Sequence, residues 1–224
     1  MNLRAELQRG IFGIGWRGAA ICVALGAADY VVSLGYEVLN HGPYRMFLRT
    51  PIDQALPVVP IFVVPYVSLQ PFIYGSLLIF LLFRGRVFQS AVLSMIVTFL
   101  VSYAFFAFLQ TYVERPALTG NDVLTRMIRD VYAGDHPFND FPSLHVSTSA
   151  IIAIHWWRFS RRFGPVPVIW AALIAMSTVL VRQHYLADVV GGLVLAFGTS
   201  MFFLRIIDPE PAGARAIPLS RRAA

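Results

Sequence analysis

Residues 88–112 read FQSAVLSMIVTFLVSYAFFAFLQTY, twenty-five positions without a single charge. A helix needs about 20 mostly apolar residues to cross a bilayer, so this stretch is predicted to span a membrane. Working outward from it, five more stretches have the same character: 18–38, 65–83, 143–158, 165–183 and 185–206. The expected fold is therefore all-α, an integral membrane bundle of six transmembrane helices. Stretch 143–158 is short and opens on polar residues. Pro57, Pro60, Pro65 and Pro71 break up the approach to the second span. Residues 57–64 are expected to be irregular or re-entrant, with the helix proper starting near Pro65, because Pro is tolerated at helix starts and where neighbours satisfy the backbone.

The composition agrees. The chain is 57% hydrophobic and 13% charged, where a soluble domain is nearer a quarter charged. One cysteine in 224 residues excludes an internal disulfide framework and a thiolate metal cluster. All 18 basic residues are Arg and none is Lys. They are scattered among apolar runs, unlike the clustered basic face of a nucleic-acid groove, so no nucleic-acid partner is expected. Six spans put both termini on one side, and that side carries 12 Arg against 6 on the other. The positive-inside bias then predicts cytoplasmic termini. Residues 1–17 read as a cytoplasmic N-terminus, 18–206 as the membrane domain, and 207–224 as a cytoplasmic, disordered tail. A cleaved signal peptide is the competing reading of residues 18–27. Trp16-Arg17 and the apolar run resuming at Tyr30 weigh against it.

The outer loop, 114–142, is expected to hold one short helix, capped by Asn121 and stopping at Gly134. Val123, Leu124, Met127, Ile128 and Val131 fall on one face of it. Such a helix lies on the membrane surface or packs on the bundle, and the pattern does not choose between them. Residues 44–56 show a weaker version of the same pattern.

Ionisable groups at membrane depth are costly and mark functional sites by default. Here they gather at the outer ends of the last four spans. Arg115 follows the third, Ser143 and His145 open the fourth, and Arg182, Gln183, His184 and Asp188 lie where the fifth turns into the sixth. His184 and Asp188 are four residues apart, neighbours on one face if a helix has begun. A carboxylate that accepts Nδ1–H fixes the tautomer and raises the basicity of Nε2, which suits a nucleophile or base. The same spacing fits a surface ion pair, or two metal ligands that lack a third in any recognised motif. Pro142-Ser143 is a good helix opener, and a helix N-terminus is an anion site. His145 lies one turn in, and the Arg115 and Arg182 guanidinium forks suit phosphate oxygens. Phosphoryl transfer is the reaction class these residues point to.

In these residues the chain resembles the type 2 phosphatidic acid phosphatase superfamily. The family's middle motif, commonly Pro-Ser-Gly-His, corresponds to Pro142-Ser143-Leu144-His145. Its third, Ser-Arg, five residues, His, three residues, Asp, corresponds to Ser177-Thr178 followed by His184 and Asp188. Its first, Lys, six residues, Arg-Pro, survives as Arg115-Pro116. The resemblance implies a six-helix membrane fold of that type. It implies a phosphohistidine on His184, with Asp188 orienting it and His145 as acid and then base. Arg115, Ser143 and the backbone of Leu144 would hold phosphate oxygens. It implies a lipid phosphate substrate, no metal and no cofactor.

Two motif cations are missing: Phe108 stands where the family has Lys, and Thr178 where it has Arg. Arg182 is expected to replace one of them, and Gln110 to offer a neutral donor. Leu144 in place of Gly, with the Ser-Thr and Gln-His-Tyr sequences, resembles the inositol phosphorylceramide synthase branch, whose members transfer a phospho-headgroup to a lipid alcohol. A lipid phosphate phosphatase is the first expectation, a phosphotransferase the second, and a non-catalytic lipid binder or transporter the third. Elsewhere, Asp29 is expected to have a structural partner and His155 to be an interfacial anchor. Asp135, His136 and Asp140 are expected in solvent, and Gly191-Gly192 at a close helix approach.

Overall fold

The computed structural model describes residues 14–209. The expected tail beyond 209 and most of the N-terminal segment lie outside them. Among the described residues the chain is helical, with no strand and two isolated bridges. The helices are α1 (Gly15–Ser33), α2 (Gly35–Leu39), α3 (Pro51–Ala55), α4 (Val63–Val67), α5 (Leu69–Phe83), α6 (Gly85–Phe108), α7 (Val123–Gly134), α8 (Leu144–Phe159), α9 (Pro165–Leu180) and α10 (Leu186–Ile207). Among the described residues four stretches are long and apolar enough to cross a membrane: Gly15–Leu39, Pro60–Phe83, Gly85–Phe108 and Leu186–Ile207. The second begins earlier than expected, with a 3-10 turn at Pro60–Phe62.

The remaining two expected spans are shorter than a bilayer. Helices α8 and α9 have 16 residues each, about 24 Å at 1.5 Å per residue, against a hydrocarbon core of about 30 Å. Irregular segments adjoin both at one end of the bundle. Asn139, Asp140, Ser143, Gln183 and His184 in those segments are all buried. Non-helical backbone is tolerated there because protein groups, not lipid, surround it. This end is called the site end below.

Helices α6 and α8 form the centre: α1, α5, α8 and α10 pack on α6, and α5, α9 and α10 pack on α8. Their shared core holds Phe80, Val87, Val92, Met95, Ile151 and Ile174. Polar groups in it are paired across helices. Ser90 Oγ lies 2.9 Å from His155 Nε2, and Trp156 Nε1 donates to Ser76 Oγ at 2.8 Å. His155 is therefore no interfacial anchor. It is fully buried, because its second nitrogen also finds the Ile151 carbonyl at 2.8 Å. Asp29 is buried on α1, but its Oδ1 has no hydrogen-bond partner among the described residues, so the expected partner is not found there.

At the opposite end, Asp208 ties three elements together. Arg84 Nη2 and Arg158 Nε reach its Oδ2 at 3.1 and 2.9 Å. Helix α7 is capped by Asp122, not Asn121: its side chain accepts from Thr125 N–H, and the helix ends at Gly134 as expected. Its apolar face is turned to the bundle. Ile128 is fully buried with Val63, Tyr66 and Val181, and Leu124 and Met127 pack beside them. Within residues 44–56 only α3 is helical, and the rest has no regular secondary structure.

Gly191 and Gly192 do mark a close approach. A Cβ on Gly192 would lie 2.7 Å from the Ser143 carbonyl oxygen, and one on Gly191 would lie 2.6 Å from the Phe141 ring. Gly198, two turns further along α10, has open space around it. Gly192→Ala should therefore destabilise the purified protein by about 1–3 kcal/mol, the usual cost of overpacking. Gly198→Ala should leave the unfolding midpoint unchanged or raise it, since Ala is the better helix former. Equal midpoints for Gly192→Ala and the parent chain would contradict the packing.

Candidate functional site

The site is built where α8 and α10 begin. Ser143 is the N-cap of α8; its hydroxyl accepts from Val146 N–H at 3.3 Å. Its own N–H donates to the Asp188 carbonyl at 3.1 Å, which joins the start of α8 to the first turn of α10. The amides of Leu144 and His145 head the helix with no intrahelical acceptor. Asp188 caps α10 through Oδ2, which accepts from Tyr185 N–H at 2.7 Å. The first amide of α10, Leu186 N–H, is taken by Oδ1 of Asp53, a fully buried carboxylate on α3.

His184 sits in the turn before α10, not on the helix. That turn is wound tightly on α9: the Thr178 carbonyl accepts from both Gln183 N–H and His184 N–H, at 2.9 and 3.1 Å. Arg182 within it has φ 58°, in the left-handed region that non-glycine residues seldom adopt. From this turn His184 Nδ1 lies 3.6 Å from Asp188 Oδ2, an ion-pair separation slightly beyond hydrogen-bond length. Both groups are buried, and His184 Nδ1 and Asp188 Oδ1 have no hydrogen-bond partner among the described residues. The His145 ring faces the His184 ring with centroids 5.8 Å apart. It also stacks on Tyr66 at 4.5 Å, close to parallel.

The predicted phosphate ligands are placed unequally. Ser143 and Leu144 lie at the helix start beside His145. The Arg115 guanidinium stands over the Tyr132 ring and donates through Nη1 to the carbonyls of Tyr132 and Asp135, at 3.1 and 2.6 Å. Through Nη2 it donates to the side chain of Gln183, next to His184. Three of its five N–H groups are thus engaged, leaving Nε–H and one on Nη2; Nε is buried without a partner among the described residues. Arg182 is turned to another task. Its Nη atoms donate to the carbonyls of Asp53 and Leu56, near the C-terminal end of α3. Gln110 is committed as well: its amide nitrogen donates to Leu39 O and Asn139 Oδ1, both at 2.8 Å, and its oxygen accepts from the amides of Thr111 and Asn139. No contact of Gln110 or Arg182 reaches either histidine.

The missing cations leave their mark. Phe108 is exposed at the end of α6, and the Thr178 hydroxyl is bonded back to the Ala175 carbonyl. Among the described residues, no three His, Cys, Asp or Glu side chains gather as a metal site.

Three site residues escaped the sequence reading. Tyr66 and Asp53 gave no signal beyond their polarity. Asp140 precedes the motif by two positions and was expected in solvent, yet it is 3% exposed and its Oδ2 has no partner. The Thr111 hydroxyl accepts from its N–H and from Phe141 N–H, which folds this loop inward. Burial, and then the neighbouring Asp188 charge, push the Asp140 carboxyl well above the usual carboxylate range.

The model of the PAP2 superfamily matches residues 91–211, over half of the chain. A protein of Dictyostelium discoideum named as PA-phosphatase related is 24% identical over 155 residues, which cover 69% of this chain and 24% of that protein. The chain thus spans about a quarter of the length of that curated relative. No solved structure matches significantly.

Asp140 gives a test of the site's electrostatics. Below about pH 4 an aspartate is protonated in both folded and unfolded chains, so its burial carries no penalty. As the pH rises past that point the unfolded chain ionises and the folded chain does not, so stability falls until the raised folded value is passed. Asp140→Asn should therefore raise the unfolding midpoint by a few degrees at pH 8 and give no gain near pH 4. An equal effect at both pH values would contradict the buried neutral carboxyl.

Proposed function

The chain belongs to the PAP2 superfamily, and from that premise we propose that it is a membrane enzyme of phosphoryl transfer acting on a lipid phosphate, with hydrolysis as its reaction. The observation that carries this reading is the facing pair His145 and His184, rings 5.8 Å apart, with Asp188 behind His184. Apolar helices around the site favour a substrate drawn from the bilayer. The Arg-rich termini favour a site facing away from the cytoplasm.

In this mechanism Asp188 holds Nδ1–H of His184, so that Nε2 carries the free lone pair. Nε2 attacks phosphorus, an N–P bond forms and the bond from phosphorus to the lipid oxygen breaks. His145 gives its proton to that oxygen, which leaves as the alcohol. Neutral again, His145 then takes a proton from water as the water oxygen attacks phosphorus. The N–P bond breaks, inorganic phosphate leaves, and both histidines are restored. The free amides of Leu144 and His145, the Ser143 hydroxyl and the remaining N–H groups of Arg115 supply donors for the phosphoryl oxygens, where negative charge grows in the transition state. No metal or cofactor has a part in these steps. Arg182 and Gln110 act on the scaffold, as their carbonyl contacts suggest, and not on phosphate.

A second reading keeps the phosphohistidine and replaces water by a lipid alcohol. Leu144, at a position where the family commonly has Gly, favours it, as does the depth of His184, which is 6% exposed. Product analysis separates the two. Purified protein given phosphatidic acid should release inorganic phosphate; phosphate recovered only on an added alcohol would establish transfer instead. His184→Ala should abolish either reaction. His145→Ala should lower the turnover number by about 10²–10⁴-fold, the range for a general acid–base group. Full turnover in His184→Ala would remove the phosphohistidine proposal.

A further inference from the structure

Helices α9 and α10 follow each other in sequence but scarcely touch. Each packs instead on its own flank of α8, so the space between them is a groove with α8 as its floor. Its volume is about 1200 Å³. It begins at Val146, one residue past His145, and follows α8 to Arg158, about 18 Å at 1.5 Å per residue. That exceeds half of a hydrocarbon core of about 30 Å. Small residues keep it open: Ala150 and Ala153 on the floor, Ala171, Ala172 and Ala175 on one wall. Leu193, Phe197 and Met201 form the other wall.

The groove changes character at the end opposite the site. Its rim there carries Arg158, Arg161 and Arg205, with Asp208 as the acid among them. Three Arg against one Asp give the described rim residues a net positive charge. Trp157 stands beside them, a residue type that settles at membrane interfaces. An apolar slot as long as a lipid tail, opening on a basic rim, has the charge pattern of a site for an anionic lipid. Basic pockets between transmembrane helices bind such headgroups.

We propose that this groove holds one anionic phospholipid from the leaflet at the basic end, with a fatty tail between α9 and α10 and its phosphate at the basic rim. The site is separate from the histidine pair and does not depend on the reaction proposed above. The contact of its tail end with Val146 places the bound lipid against the first turn of α8.

Native mass spectrometry tests this on the full chain in mild detergent, loaded with dioleoyl phosphatidylglycerol or dioleoyl phosphatidylcholine. The mass of the retained lipid is read directly, so any turnover of the probe would be visible. One phosphatidylglycerol should stay bound under conditions that strip phosphatidylcholine. Retention should fall about tenfold in Arg161→Gln/Arg205→Gln, and as far in Ala172→Trp, which fills the groove from an exposed wall position. Ala175→Leu serves the same purpose if the Trp variant does not elute as a folded species, and Gly198→Ala, outside the groove, should retain the lipid. Equal retention of both lipids would overturn the proposal. So would retention unaffected by filling the groove, which would mean surface charge alone. A lipid-free dimer whose groove is protected by a second copy would also overturn it.

Discussion

One hydrogen bond holds the site together: the N–H of Ser143 donating to the carbonyl of Asp188 at 3.1 Å. It fastens the first turn of α8, which carries His145, to the first turn of α10, which follows directly on His184. It needs Gly192 beneath it, since any side chain there would strike the Ser143 carbonyl. A helix dedicated to spanning the bilayer satisfies its backbone internally. Here α8 and α9 stop after 16 residues, and the backbone beyond them must find partners elsewhere in the protein. The pocket exists because those helices are short, and most polar residues around it answer that need.

This explains how the conspicuous polar residues are used. Arg115, Arg182 and Gln110 are turned chiefly to carbonyls and amides of irregular segments. An unpaired buried backbone group costs about as much as a lost hydrogen bond, so a long side chain with several donors is well suited to this work. With no Lys in the chain, Arg must supply every cation of the site. Of the two best placed, Arg182 closes the end of α3, and Arg115 keeps two donors in reserve. The phosphate cradle proposed for this chain therefore leans on backbone amides and the Ser143 hydroxyl more than on side-chain charge. That is a reason not to transfer a substrate from better-known family members.

Much of the architecture was legible because apolar run length and helix openers are local signals. The positions of α6, α8 and α10 follow from mostly apolar stretches and from Pro142-Ser143. The convergence of His145, His184 and Asp188 on one end was legible for the same reason: each lies at the end of a run. What was not legible depends on long-range pairing. Nothing local says that Asp53 meets Leu186, 133 positions away, or that Ser90 waits for His155 across the core. Asp140 looks like any loop acid until the Thr111 hydroxyl is seen to draw its backbone inward. Arg182 was read as a phosphate ligand because sequence gives proximity to His184 but not direction, and its left-handed backbone points it elsewhere. The amphipathic face of α7 was equally open to lipid and protein, and only the cluster around Ile128 decides for protein.

The central claim is that His184 carries the phosphoryl group. The most direct measurement is to quench the purified protein during turnover of ³²P-labelled phosphatidic acid and locate the label by peptide mass spectrometry. The account predicts a phosphoramidate on the peptide containing His184, labile in acid and stable in alkali, absent from His184→Ala and accumulating in His145→Ala. Turnover without any labelled protein in His145→Ala, or a label on another residue, would contradict it.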